Sequence, residues 1–594
     1  MKKIRVFIAL LLVFTFLLFL SSCFGLFKLA KIADKSGVFY DDLEFSLSED
    51  GRSYTLLGIA DWYEVVDGIP VLKNVVNYDV SELEIPATYK ELPVTAIADN
   101  AFFSCESLER VIIPGTVRSI GEYAFSGCPR LTEVSLPDTL TEIKSGAFSE
   151  CDMLDFVSVG KASELSFIGD YAFSGCDALK SADIQSVKWI SEYAFSECPS
   201  LVDLKLGDRL TSIGSGAFSY CDGLTEIAIS ENVTEISEFA FGSCKSLEKI
   251  SVSKFNMTYK DIDGILYTKD AGSLLKYPPK KGSSVTVPDG VKEIGAYAFS
   301  HSSSLSSVVL PGSVEKIGYA SFSECTALTE VSLGSLVRVI EDYAFSDSAL
   351  LSITLPENVE KIGDFAFYGC ESLSNVRQGS SLSSIGEKAF SSCKSLTSFE
   401  PCESLVEIGY GSFSDCISLT EIYLGDKLAV LGDRAFLNCR TLADISVSPE
   451  NESYKSIDGN LYDKEGKALI MYAIGKSDAS FKVPDGVEAV LSFALSGCNN
   501  LTDVILPDGM QRIERYSFRD SASLVSVKIP DSVSEISDFA FYGCSGLTLY
   551  CESEAIKSGW DFFWNCYIRE DYDKISGSYA VELFCPVIWG VSEN

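Results

Sequence analysis

A phenylalanine returns every 22 or 23 residues along most of this chain, and few folds accommodate so strict a period. It stands at Phe102, Phe125, Phe148, Phe173, Phe195, Phe218 and Phe241, then at Phe299, Phe322, Phe345, Phe367, Phe390, Phe413 and Phe436. Leu495 in the same place, then Phe518 and Phe541, complete 17 phases; 13 of the 16 intervals are 22 or 23 residues and one is 25. The remaining two, 58 and 59, hold insertions or degenerate double coils. In every phase an aliphatic residue stands five positions before the aromatic and Leu six positions after it, and 14 phases carry Cys at the third position after.

One unit reads I-x-x-x-A-F-x-x-C-x-x-L-x-x-I-x-L-P. Phe125, Cys128, Leu131 and Val134 are spaced by three, which suits a tight 3₁₀-like turn, and Val134 and Leu136 by two, which suits a strand with one buried face. Pro137 stops the strand and Asp138 turns the chain toward Leu140 and Ile143. This spacing resembles the leucine-rich repeat. A single coil has no core, so coils must stack, and their strands line one parallel sheet with short strands and tight turns opposite. Seventeen coils at roughly 4.8 Å each predict a solenoid on the order of 80 Å long. The repeat part spans 97–548, with insertions near 253–290 and 448–486. Both insertions read as strand, turn, strand. Asp261-Ile262-Asp263-Gly264 superficially resembles the start of a calcium loop, but the second copy reads Ser456-Ile457-Asp458-Gly459 and neither copy has the full ligand series with a terminal Glu, which favours a plain Asp-Gly turn.

Residues 1–22 carry Lys2, Lys3 and Arg5, then an apolar run, and have the form of a secretory signal. Leu20-Ser21-Ser22-Cys23 resembles a bacterial lipobox, which makes Cys23 the expected site of lipid attachment and 23–38 a tethered linker. The competing reading is an uncleaved membrane anchor, because apolar character continues to Phe27. Residues 39–96 are expected to cap the first coil, with a hairpin around Glu49-Asp50-Gly51, and 549–594, with Trp560, Trp564 and Trp589, to form an aromatic cap on the last.

The chain has 84 acidic and 48 basic residues, a net charge of −36, which becomes −39 once the three basic residues of the signal are removed. Such a surface repels nucleic acid. Of the 19 cysteines, 14 fall in register and are expected to form a ladder of buried thiols, since Ser302, Ser348 and Ser521 replace Cys in three coils. There is no C-x-x-C pair, which gives zinc or thioredoxin-type redox chemistry little support. Cys551, Cys566 and Cys585 leave room for one disulfide in the C-terminal cap. The one histidine, His301, lies in a repeat turn. No enzyme, metal or cofactor is expected.

The unit L-T-E-V-S-L-P-D-T-L-T-E-I-x-x-x-A-F-S-x-C, the D-G-x-L-Y insertions, the lipobox and the terminal GWDFFWN and CPVIWG segments are similar to the BspA-like leucine-rich repeat family of bacterial surface proteins. The resemblance implies surface display and adhesion to host matrix or plasma proteins or to other bacteria; Phe24 after Cys23, where a retention-type Asp would stand, favours the outer membrane where the cell has two membranes. A structural spacer of the envelope without a dedicated ligand is the alternative. From the coil geometry, the eighth and tenth residues after each phenylalanine should project outward and form the binding stripe: Glu133, Asp203, Glu226, Glu330, Glu421, Asp444 and Asp503 in the eighth row, Tyr423 in the tenth.

Overall fold

The computed structural model describes residues 43–59, 63–66, 69–72, 81–159, 163–567 and 583–591, and among them there is no helix. The chain winds as a parallel solenoid. In one turn, Phe125, Cys128, Leu131, Leu140 and Ile143 are all 0 % exposed and Val134 is 6 % exposed, so a single turn sends six side chains to the axis. Its strands are Glu133–Ser135 and Glu142–Ile143, with the Pro137-Asp138 corner between them. The phenylalanines stack on one another from turn to turn, with ring centroids 5.3 Å apart for Phe125 and Phe148 and 5.0 Å for Phe367 and Phe390. That spacing is the strand separation imposed by the ladders on either side.

Three ladders tie the turns together. The first, built from strands such as Glu133–Ser135, was expected as one continuous sheet; it is divided into seven sheets of two to five strands. The second, built from two-residue strands such as Glu142–Ile143, is the more continuous, running as sheets of ten, ten and six strands. Small changes of spacing divide the first ladder. After Phe345 the buried leucine is Leu350, five residues on, while Leu351 at the expected sixth position is 53 % exposed. The pairing stops there, between Glu330–Ser332 and Ser352–Thr354.

The third ladder lies in the turns around the phenylalanines. The residues two before and two after each aromatic have positive φ, as at Tyr193 (53°) and Glu197 (55°) or Tyr343 (58°) and Asp347 (55°). Alternation of left- and right-handed backbone aligns the peptides, so every second N–H points the same way along the axis. Tyr123, Phe125 and Gly127 donate to the carbonyls of Ser145, Ala147 and Ser149 in the next turn at 2.9, 2.8 and 2.7 Å. The residues between them close single 3₁₀-type bonds, as Ala124 N–H to Gly121 O and Ser126 N–H to Tyr123 O.

The two long intervals are degenerate turns. Tyr277 takes the phenylalanine's place, stacked on Phe299 at 5.1 Å, and Tyr472 does the same, its N–H donating to Ala494 O as Phe173 donates to Ala194 O. With Trp564 packed edge-on against Phe541, the solenoid has about 20 turns. Each insertion is an antiparallel hairpin, Tyr259–Ile262 with Ile265–Thr268 and Tyr454–Ile457 with Asn460–Asp463. Their tight turns are Asp263 (φ 50°)-Gly264 (75°) and Asp458 (48°)-Gly459 (69°), the two positive φ values of a type I′ turn. The same side chains fasten both. Asn256, fully buried, donates to Ser230 O and Val233 O and accepts from the N–H groups of Thr258 and Tyr259. Asn451 repeats all four bonds with Gly425, Leu428, Ser453 and Tyr454. The hydroxyls of Tyr259 and Tyr454 accept the N–H groups of Ile236 and Leu431, where the second ladder ends. The core accordingly divides into three clusters that meet at the insertions.

The register cysteines line the core, and 12 of the 14 thiols donate to the carbonyl of the aromatic one turn back. Cys151 donates to Phe125 O at 3.2 Å and Cys416 to Phe390 O at 3.2 Å, so the thiol spans two turns. Serine does the same at Ser521, whose hydroxyl donates to Leu495 O at 2.7 Å. Cys416→Ser should therefore change stability by no more than about 1 kcal/mol, whereas Cys416→Leu, which adds volume beside the stacked rings, should cost about 1–3 kcal/mol. Burial pushes the Cys416 thiol up to about 12. Native protein should accordingly leave it unmodified by a thiol reagent that labels it once unfolded. Paired denaturation curves and a labelling time course check both statements.

At one end the hairpin Leu43–Leu47 and Tyr54–Ile59 pairs with Leu92–Ile97 on the edge of the second ladder. At the other, Trp560 packs on Trp564 at 4.8 Å and on Trp589 at 5.9 Å. Cys551 is a free buried thiol, and Cys585 Sγ lies 3.7 Å from Cys544 O. The side chain of Cys566, like Cys23 and the whole of 1–42, lies outside the described residues.

Candidate binding face

The eighth and tenth residues after each phenylalanine flank a buried one in the first ladder. Glu421–Leu424 alternates exposed and buried, with Ile422 at 1 % and Tyr423 at 43 % exposure. Pairing in register then sets like positions side by side, Glu421 against Asp444 and Tyr423 against Ser446. All eight stripe residues predicted from the sequence lie in this ladder.

They do not form one acidic stripe. The same strand position also holds Arg110, Phe156, Lys249, and serines at 181, 284, 307, 352 and 398, so negative charge is broken into patches. Several carboxylates are already engaged. Glu133 pairs with Arg110 at 3.3 Å and Asp203 with Lys205 at 3.1 Å, contacts worth about 0–1 kcal/mol at such exposure. Asp503 accepts the hydroxyls of Ser526 at 2.5 Å and Thr502 at 2.7 Å, which hold its carboxyl below the usual range. Glu226 borders an open depression of about 450 Å³ with Glu248, Lys249, Asp261, Asp263, Lys280 and Lys281. There Asp263 pairs with Lys281 at 3.0 Å and Asp261 accepts Val252 N–H at 2.9 Å, so the motif that resembled a calcium loop is spent on the hairpin.

Glu330, Glu421 and Asp444 form no ion pair among the described residues. Glu421, Asp444 and Tyr423 make one exposed acidic-aromatic patch on two adjacent strands. It is the part of the predicted stripe that the structure brings together. His301 is packed: its Nε2 lies 3.1 Å from Glu324, and burial lowers its pKa against that carboxylate's pull. Sequence reasoning overlooked the two asparagines and a buried lysine, Lys276, at the first insertion. The asparagine was there to be found, since it precedes the insertion's first tyrosine by three residues in both copies.

The description "BspA type Leucine rich repeat region (6 copies)" fits five stretches of the chain, 95–185, 155–263, 279–371, 338–465 and 475–573. Among solved structures the chain is similar to a leucine-rich repeat protein from Bacteroides ovatus, at 25% identity over 70% of this chain and 95% of that one, TM-score 0.43. It is similar also to a leucine rich cell surface protein from Faecalibacterium prausnitzii (24%, 70% and 95%, TM-score 0.41). A third is the pneumococcal vaccine antigen PcpA (21%, 66% and 93%, TM-score 0.47). No curated protein matches the chain in sequence.

Proposed function

Because the chain belongs to the BspA-type leucine-rich repeat family, we propose that it is a cell-surface adhesin, holding a protein of the host matrix, of plasma or of another bacterium against the first ladder. Residues 1–22 would export it and a lipid on Cys23 would tether it, at the outer membrane where the cell has one. The fold is a scaffold type with no catalytic family attached to it, and a rigid face of repeated short strands suits recognition of an extended surface.

The observation that carries this reading is the patch of Glu421, Asp444 and Tyr423. Two carboxylates in register, without ion-pair partners among the described residues, flank an aromatic ring that is 43 % exposed. The strand's alternation turns position 423 outward, but nothing in the packing of the turn requires an aromatic side chain there. A basic segment of a partner would meet both charges and the ring at once.

The test is binding of the full chain to a panel of immobilised matrix and plasma proteins and to neighbouring bacteria, beside Glu421→Lys/Asp444→Lys. Saturable binding that the double variant weakens about tenfold or more supports the reading, with affinity falling as salt rises. No saturable binding, together with an envelope defect on deletion of the gene, would replace it with the spacer role. Protease shaving of intact cells tests display separately: loss of the repeat region without lysis is the expected result.

A further inference from the structure

The turn ladder fails at the first insertion. In unbroken turns the N–H groups at and two after the phenylalanine donate to the next turn, as Phe218 does to Ala240 O and Tyr220 to Gly242 O, and in most turns the N–H two before it does so too. Phe239, Phe241 and Ser243 make no such bond, because the inserted hairpin displaces the turn that would receive them. Between the separated turns lies a cavity of about 160 Å³. Glu238, Phe239, Ala240 and Phe241 line one side, and Gly295, Ala296 and Tyr297 the other.

Lys276 also lines this cavity. It is 5 % exposed, it forms no ion pair among the described residues, and its ammonium donates to one acceptor, Tyr297 O at 3.1 Å. The two carboxylates bordering the cavity do not neutralise it: Glu293 pairs with Lys316 at 3.2 Å, and Glu238 is exposed to solvent. A buried ammonium without a counter-charge is costly, and burial lowers Lys276 to about 8. The fold does not ask for this lysine. Pairing places Lys276 opposite Leu266 in the first insertion and Met471 opposite Leu461 in the second, so the second insertion builds the same turn with a methionine.

We infer that the first insertion holds a small monovalent anion, a carboxylate or a halide, between the Lys276 ammonium and the N–H groups of Phe239 and Phe241. Backbone N–H groups in alternating αL and αR conformation form a concave donor set suited to an anion, and the ammonium supplies the charge the site otherwise lacks. The anion takes the place of the carbonyls that the interrupted turn cannot offer. The second insertion, with Met471, serves as the internal comparison and should take no anion.

Crystals of the full chain soaked in sodium bromide test this directly, beside Lys276→Met, a substitution the second insertion already tolerates. One anomalous bromide peak within hydrogen-bonding reach of Lys276 Nζ and the two N–H groups is expected in the parent, and none in the variant or near Met471. In solution at constant ionic strength, sodium bromide or sodium acetate at about ten times its dissociation constant should raise the folded-to-unfolded ratio of the block it joins about tenfold. The variant should show no such gain. Density at the site without anomalous signal, together with no stability gain from either salt, would mean water alone and overturn the inference. So would a peak that persists at equal occupancy in Lys276→Met. A response to acetate without one to bromide would keep the site and identify its ligand as a carboxylate.

Discussion

Phe367→Ala should destabilise the protein by about 3–5 kcal/mol, the range for emptying an aromatic site in a closed core. Phe367 is fully buried and lies between Phe345 at 5.2 Å and Phe390 at 5.0 Å, nearly parallel to both. Its neighbours cannot close the gap, because the ladders fix the separation of their turns. The loss falls on both contacts, and in a linear array there is no other packing to absorb it. Denaturant unfolding followed by circular dichroism should show the central block melting earlier while the N-terminal block keeps its midpoint. A loss under about 1 kcal/mol would mean that the phenylalanine column does not carry the core.

The second large effect is expected at Asn256. Leucine in its place would fill a similar volume but strand the carbonyls of Ser230 and Val233 and the N–H groups of Thr258 and Tyr259. At about 1–3 kcal/mol for each buried group left without a partner, the total should exceed 3 kcal/mol. The damage should be local, since the asparagine fastens the hairpin to the turn before it, where two of the core clusters meet. Hydrogen exchange would show faster exchange in 253–268, and Asn451→Leu should give the same pattern in 448–463. Unchanged protection would mean that the hairpins are held by their strands alone.

The period of phenylalanine, leucine and cysteine was enough to read the solenoid, because each inward position repeats the same steric demand. Continuity of the first ladder was not legible. Leu350 and Leu351 are adjacent and chemically identical, and only packing decides which one turns inward. Nor was the turn ladder, since Tyr193, Glu197 and Asp347 have no intrinsic preference for positive φ strong enough to announce it. They adopt it because the aligned bonds to the next turn outweigh the strain. On the binding face, outward direction followed from the period-two pattern. Which carboxylates would be engaged did not, because Arg110 and Glu133 sit 23 residues apart and meet only when the turns stack. Lys276 was hidden by the length of its insertion, which obscured its equivalence to Met471.

The one-way run of turn bonds has a consequence for assembly. Its N–H groups all face the C-terminal end of the array and its accepting carbonyls the N-terminal end, so the two ends of this edge are chemically unlike. Two copies meeting through it could not form a closed, symmetric pair, because donors would face donors. They could join only head to tail, and that contact repeats without closing into an open fibre. A segment that covers either end of this edge would therefore block that contact as well as shield apolar side chains.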